Sequence, residues 1–371
     1  MNESRKIALY IDPPSHHFLK DQLFNTETVW FGGDNLMAPY VYLRDFFTSR
    51  GIAVHTADYL PEEVTGEQNI YVSMGLLSNY RRVARRKDAV LSAFFAMECP
   101  IVEPSLYRAL NDVQRYFKRI FSWSDSPSLQ HFTGQPVRLK SFRWPQSYER
   151  VHESIWGQTE RQFLVMINAN KLPRIYWQEL YTERLRAVEF FARTNEIDLY
   201  GIGWEGLPYR VGKTWIPYTV LQLQRQLLSY WQLFYPAPLL QAARRVYKGP
   251  TKAKVETLGS YTFALCFENM ILKGWLTEKI FDCFFAGAIP IYWGAPDVTE
   301  YIPEDCFVDK RKFPTYEELR RFLRSLSPKD ILTYKGNARD YLASEKFKPF
   351  TKETFLEIFK RIVEEDTGIR F

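Results

Sequence analysis

Apolar positions along the chain cluster into short runs that alternate with stretches of helical spacing. Ile7 to Ile11, Ala53 to Thr56, Ile70 to Ser73, Val90 to Ala96 and Arg119 to Trp123 read as strands. Tyr40 to Ser49, ended by Gly51, reads as a helix. This alternation predicts a parallel sheet with helices on its faces. Pro145 to Gln162 is polar and poor in motifs, which marks it as a linker. The pattern then restarts with a strand at Phe163 to Ile167, a long helix from about Tyr176 to Thr194 and a strand at Ile197 to Tyr200. An insertion at about 204–248 separates these from a final strand-helix-strand unit. The expected organisation is α/β throughout, with two domains and a cleft between them. A first domain covers 1–155, a second covers 156–345 and a helical tail covers 346–371.

The final unit, Tyr261 to Gly294, carries the strongest chemical signal. An apolar run ends abruptly in Glu268 and Asn269, a loop with Gly274 follows, and Thr277-Glu278-Lys279 opens a helix. Ile289 to Trp293 then forms the next strand. Polar groups therefore gather at the carboxyl end of one strand and at a helix start, the edge where open α/β sheets bind ligands. Thr277 is placed to cap the helix with its hydroxyl. The helix start offers amides and a positive dipole end to a diphosphate, and Lys279 adds a cation there. Glu278 suits sugar or ribose hydroxyls, or positive charge developing at a sugar carbon. On spacing alone, an ordinary helix start accounts for the same residues.

A second polar segment, Asn168 to Arg174, follows the strand ending at Ile167. Its Lys171 and Arg174, with Arg184 and Arg186 of the next helix, could converge on an anion through charge-assisted bonds. Arg184 and Arg186 lie two apart on different helix faces, so at least one is a surface charge. Glu98 closes the run Val90 to Ala96 in Met97-Glu98-Cys99-Pro100, where an apolar setting can raise a carboxylate's pKa and suit it to general-base work. Most strand-terminal glutamates are merely solvated or paired.

Composition narrows the classes. The chain has 371 residues, 46% hydrophobic and 16% aromatic, enough for two cores and for ring-lined pockets. A net charge of +6 is dispersed, which argues against nucleic acid as a partner. No run of 18 apolar residues occurs, and Met1 to Lys6 leads directly into the first strand, so neither a spanning helix nor a signal peptide is expected. Cys99, Cys266, Cys283 and Cys306 lack Cys-x-x-Cys spacing and read as reduced core thiols, which suits a cytoplasmic protein. In the insertion, Val220, Leu223, Leu227, Leu228, Trp231, Phe234 and Tyr235 share a helical face, with Arg244, Arg245 and Lys248 beyond. That face fits either peripheral membrane contact or packing on its own domain. No P-loop, Gly-x-Gly-x-x-Gly, His-Glu-x-x-His or Asp-x-Asp pattern is present, and His16, His17, His55, His131 and His152 form no ligand set.

The quoted motifs resemble the signature of the α-1,3/4-fucosyltransferases, glycosyltransferase family 10. The matching residues are Phe267-Glu268-Asn269, Trp275-Leu276-Thr277-Glu278-Lys279, Ala286-Gly287-Ala288-Ile289-Pro290, Gly294-Ala295-Pro296 and Tyr301-Ile302-Pro303. The match spans roughly fifty residues, and Trp275 departs from the family's usual Tyr. The resemblance implies a GT-B-type fold of two Rossmann-like domains, with GDP-fucose bound by the C-terminal one and the acceptor by the other. It implies donor contacts from Tyr261, Glu268, Asn269, Trp275, Thr277, Lys279 and Arg184, with Asn168, Lys171 and Arg174 on the adjoining edge. Glu278 is expected at the donor sugar and Glu98 as the general base. The expected activity is inverting transfer of L-fucose, in α-1,3 linkage, to an oligosaccharide or glycoconjugate acceptor. No cofactor is implied, and a divalent metal is expected to stimulate at most. The alternatives are a transferase using another GDP-sugar and a catalytically silent glycan-binding module.

Overall fold

The computed structural model describes residues 6–26, 35–64, 66–212, 219–224, 226–227, 238–251 and 253–371. The chain forms two compact units. The first takes the described residues up to Ser147 together with Lys348–Phe371, and the second takes Tyr148–Phe347.

The first unit is built on a six-stranded parallel sheet. Its strands are β1 (Ile7–Asp12), β2 (Ala53–Thr56), β3 (Gln68–Ser73), β4 (Ala89–Ala96), β5 (Arg119–Ser122) and β6 (Lys140–Ser141), in the order β2-β1-β3-β4-β5-β6. The five strands expected from the apolar runs all form. The second unit has a five-stranded parallel sheet of β7 (Gln162–Ile167), β9 (Ile197–Tyr200), β11 (Tyr261–Phe267), β12 (Ile289–Trp293) and β13 (Val308–Asp309), ordered β13-β12-β11-β7-β9. A separate parallel pair joins β8 (Lys171–Pro173) to β10 (Tyr209–Val211). Central β11 is buried along nearly its whole length, as a parallel strand covered on both faces must be.

Three expectations are revised. The helix predicted from about Tyr176 begins at Tyr181. The residues before it pair instead with the loop after β11: Leu180 N–H donates to Asn269 O at 3.0 Å, and Ile271 N–H to Gln178 O at 2.7 Å. The unit boundary falls after Ser147 rather than at 155. The predicted separate tail belongs to the first unit. Its helix Lys352–Thr367 stacks Phe359 on Phe95 of β4, with centroids 5.7 Å apart, and pairs Glu365 and Asp366 with Arg119 at 2.6 and 3.0 Å. No helix among the described residues is long and apolar enough to cross a membrane. Within the insertion, Val220, Leu223 and Leu227 are exposed, whereas Leu228, Trp231, Phe234 and Tyr235 lie outside the described residues.

Candidate active site

Strand β11 delivers Glu268 and Asn269 just past its last residue. Glu268 stays in register with the sheet through its N–H, which donates to Trp293 O at 2.8 Å, and its side chain is fully buried. A buried carboxylate must be satisfied by donors or cations. Here it accepts the Thr277 N–H at 2.8 Å and the Thr277 hydroxyl at 2.8 and 3.0 Å, and it pairs with Lys279 Nζ at 3.2 Å. Gly294 makes room for it, since a Cβ there would sit 2.4 Å from Glu268 Cγ and 2.5 Å from the Tyr292 hydroxyl.

Thr277 holds the N-cap position of the helix Glu278–Ala286 but makes no side-chain capping bond, contrary to the sequence expectation. Its hydroxyl instead donates to Glu268 and accepts from Lys279 Nζ, charge-assisted bonds on both sides that a neutral helix amide does not match. The positive end of this helix is therefore left without a capping hydroxyl.

Around it runs a ladder of alternating charge. Lys279 Nζ lies 2.9 Å from Thr277 Oγ1 and 3.4 Å from Glu278 Oε1. Glu278 in turn lies 3.7 Å from Lys254, which also pairs with Asp282 one turn further along the same helix. Burial works against the charge on Lys279, but Glu268 and Glu278 outweigh it and raise its pKa above the ordinary lysine value. Burial likewise opposes ionisation of Glu278, and Lys279 and Lys254 overcome it, holding the carboxylate down at about 2. Asp282 is raised, by burial against the pull of Lys254. Glu278 is only half-buried, so the ladder opens to solvent at that residue.

Arg184 enters from the helix Tyr181–Arg193. It is 5% exposed, and its guanidinium donates to Phe267 O at 2.6 and 3.2 Å and to Asn269 Oδ1 at 3.1 Å. It also lies 4.6 Å over the Tyr181 ring. Arg184 opposes that rise in the Lys279 pKa, so the two cations repel each other near the end of β11. An anion between them would relieve that repulsion. Arg186 points away, exposed and paired with Glu183, and is the surface charge of the two.

The structure thus gathers Glu268, Asn269, Thr277, Glu278, Lys279 and Arg184 at one sheet edge. The other expected donor residues make different contacts. Asn168 accepts the Trp204 indole N–H on its carbonyl at 2.7 Å, and Asn170 beside it holds Gly203 O and Gly206 O. Arg174 donates to Gly212 O at 3.0 Å, and Lys171 is exposed on β8, so this segment frames the two-stranded ribbon. Trp275 is 2% exposed, and its carbonyl accepts the Tyr292 hydroxyl at 3.5 Å. Tyr261 begins β11, seven residues or about 23 Å from Glu268. Its buried hydroxyl donates to Asp198 at 2.7 Å, and burial raises its pKa. Sequence reasoning missed Asp282 as a member of the ladder, although its i, i+4 spacing from Glu278 was available.

In the first unit, Glu98 lies two residues past β4, half-buried. Its Oε1 accepts the Cys99 N–H at 2.8 Å, which orients the carboxylate, and its carbonyl accepts the Tyr107 hydroxyl at 2.6 Å. Among the described residues, no group of three or more His, Cys, Asp or Glu could hold a metal ion.

Comparison with known proteins gives a consistent picture. Residues 239–344, from the insertion through β13 and beyond, match the family description "glycosyltransferase family 10 (fucosyltransferase) C-term". An α-(1,3)-fucosyltransferase of Helicobacter pylori is 33% identical over 126 residues, which cover 31% of this chain and 25% of that protein. A GDP-fucose protein O-fucosyltransferase of Xenopus laevis is 33% identical over 76 residues, 20% of this chain and 16% of the relative. The chain thus spans a quarter or less of the length of these relatives. Over 98% of its length it superposes on all of the sucrose-phosphate synthase of Thermosynechococcus elongatus, with a TM-score of 0.54 and 8% identity. Both units have the parallel-sheet α/β architecture of GT-B glycosyltransferases.

Proposed function

We propose, from the match of residues 239–344 to the glycosyltransferase family 10 C-terminal description, that the chain transfers L-fucose from GDP-fucose to a hydroxyl of a glycan acceptor, with inversion and in α-1,3 linkage. The observation that carries this reading is that Arg184, bonded at the end of β11, lies near enough to repel Lys279, which sits at the start of a helix whose N-cap makes no side-chain bond. Two cations and a helix N-terminus suit a diphosphate, and GDP-fucose presents one. The half-buried carboxylate of Glu278, held ionised, is suited to a donor hydroxyl or to the positive charge that develops at the anomeric carbon.

In this reading Glu98 takes the proton of the acceptor hydroxyl. The oxygen attacks the anomeric carbon in line, and the bond to the phosphate oxygen breaks as GDP leaves. The charge gathering on the leaving diphosphate is met by Arg184, Lys279 and the helix start, and such electrostatic stabilisation is usually the largest catalytic contribution. We further propose a cytoplasmic enzyme that touches an anionic membrane surface through the insertion. Support comes from the exposed Val220, Leu223 and Leu227 together with the exposed Arg244 and Arg245.

Calorimetric titration with GDP, GDP-fucose and GDP-mannose, followed by turnover with candidate acceptors, tests the reading. GDP-fucose binding with acceptor-dependent GDP release is expected. Preference for GDP-mannose would assign another sugar, and binding without turnover would indicate a glycan-binding module.

A further inference from the structure

Two cysteines flank the polar cluster. Cys266, next to last in β11, and Cys283, in the second turn of the helix Glu278–Ala286, have their Sγ atoms 3.1 Å apart. Both thiols also lie against one acceptor, the carbonyl of Lys279, at 3.5 and 3.4 Å. A disulfide bond is about 2.05 Å long, so closure requires the sulfurs to approach by only about 1 Å. The other two cysteines are placed differently. Cys99 belongs to the first unit, and Cys306 faces the Asp305 carboxylate at 3.8 Å.

We propose that Cys266 and Cys283 form a redox modification site, closing an intramolecular disulfide that staples β11 to the second turn of the helix Glu278–Ala286. The segment enclosed by the bond, 267–282, contains Glu268, Asn269, Thr277, Glu278, Lys279 and Asp282. Oxidation therefore fixes the second-unit groups of the cluster, apart from Arg184 and Lys254, inside one covalent loop. With hydrogen peroxide as oxidant, one thiol becomes a sulfenic acid as the peroxide O–O bond breaks and a water leaves. The second sulfur then attacks the first and expels another water, so two thiols and one peroxide give one disulfide and two waters. Both side chains are buried, and burial raises the Cys283 pKa well above the ordinary thiol value. Reaction must therefore wait for local opening and is slow. The staple raises stability by constraining the unfolded chain.

The test uses the full chain, reduced and then exposed to hydrogen peroxide over hours, followed by peptide mass mapping without reductant and by thermal melting. The expected product is a linked pair of peptides bearing Cys266 and Cys283, two hydrogens lighter, while Cys99 and Cys306 remain alkylatable. The melting midpoint should rise by several degrees and return on reduction with dithiothreitol. Both effects should vanish in Cys283→Ser and in Cys266→Ser, each checked for its own melting transition. Separate sulfinic acids at the two positions, links through Cys99 or Cys306, or a link that leaves the midpoint unchanged or lower would each overturn the proposal.

Discussion

Replacing Lys279 by Ala removes the cation at the centre of the ladder, and the structure separates two consequences. The first concerns ligand: loss of a charge-assisted contact to a diphosphate should weaken GDP binding at least tenfold, about 1.4 kcal/mol. The second concerns the protein itself. Lys279 lies 3.2 Å from the fully buried Glu268, and removing one partner of a buried pair typically costs about 3–5 kcal/mol. Glu268 keeps two donors from Thr277, which favours the lower end, about 3 kcal/mol. At roughly 2–4 °C per kcal/mol for a domain of this size, the midpoint should fall by about 6–12 °C. A second variant separates the two effects. Lys279→Ala with Glu268→Gln removes the stranded charge while leaving the ligand without its cation. Thermal melting should then recover most of the loss, whereas calorimetric GDP affinity should stay weak. GDP affinity within twofold of the parent in a folded Lys279→Ala protein would refute the reasoning. So would recovery of affinity in the double variant, since Lys279 would then act only by neutralising Glu268.

Other consequences are open to direct measurement. Glu98→Gln keeps shape but removes basicity, so turnover should fall by roughly 10²- to 10⁴-fold with little change in GDP-fucose affinity, as read by GDP release and calorimetry on one batch. Near-parental turnover would remove Glu98 as the base. Glu278 has a folded pKa of about 2, depressed from 4.5, so its contribution is present above pH 4.5 and is lost as the pH falls toward 2. Glu278→Gln should flatten that part of the stability-pH curve, and an unchanged slope would contradict the ladder. Activity should persist after EDTA treatment because Arg184 and Lys279 are cations fixed in the protein, whereas complete loss reversed by manganese would show that a metal carries the diphosphate.

Much of the site could be read from the sequence because its period changes are sharp. An apolar run that stops at Glu268-Asn269 and a helix that opens at Thr277-Glu278-Lys279 define both ends of the ligand edge without tertiary information. What escaped depends on competition between partners. Thr277 has the residue type and position of a cap, but a carboxylate brought beside it by the fold takes its hydroxyl. Trp275 and Tyr261 are polar-tipped aromatics in the right motif, and only the fold reveals that the first is buried and that the second sits at the opposite strand end, bonded to Asp198. Lys254 comes from another helix 24 residues before Glu278, so no local spacing announces that pair. The helix starts only at Tyr181 because Glu179 pairs with Met270 in the loop after β11, a tertiary contact that overrides helical propensity. The tail was set apart for a similar reason: Phe359 finds its partner, Phe95, in a strand from the opposite end of the chain.

The central claim is that Arg184 and Lys279 hold the diphosphate of a GDP-sugar whose fucose is transferred. A glycan array incubated with the full chain and GDP-fucose, read by mass, tests it most directly. The account predicts that at least one acceptor gains a single deoxyhexose, that GDP-mannose gives no product, and that Arg184→Ala abolishes the gain while the protein remains folded. Transfer from GDP-mannose in preference to GDP-fucose, or undiminished fucose transfer by the Arg184→Ala protein, would contradict it.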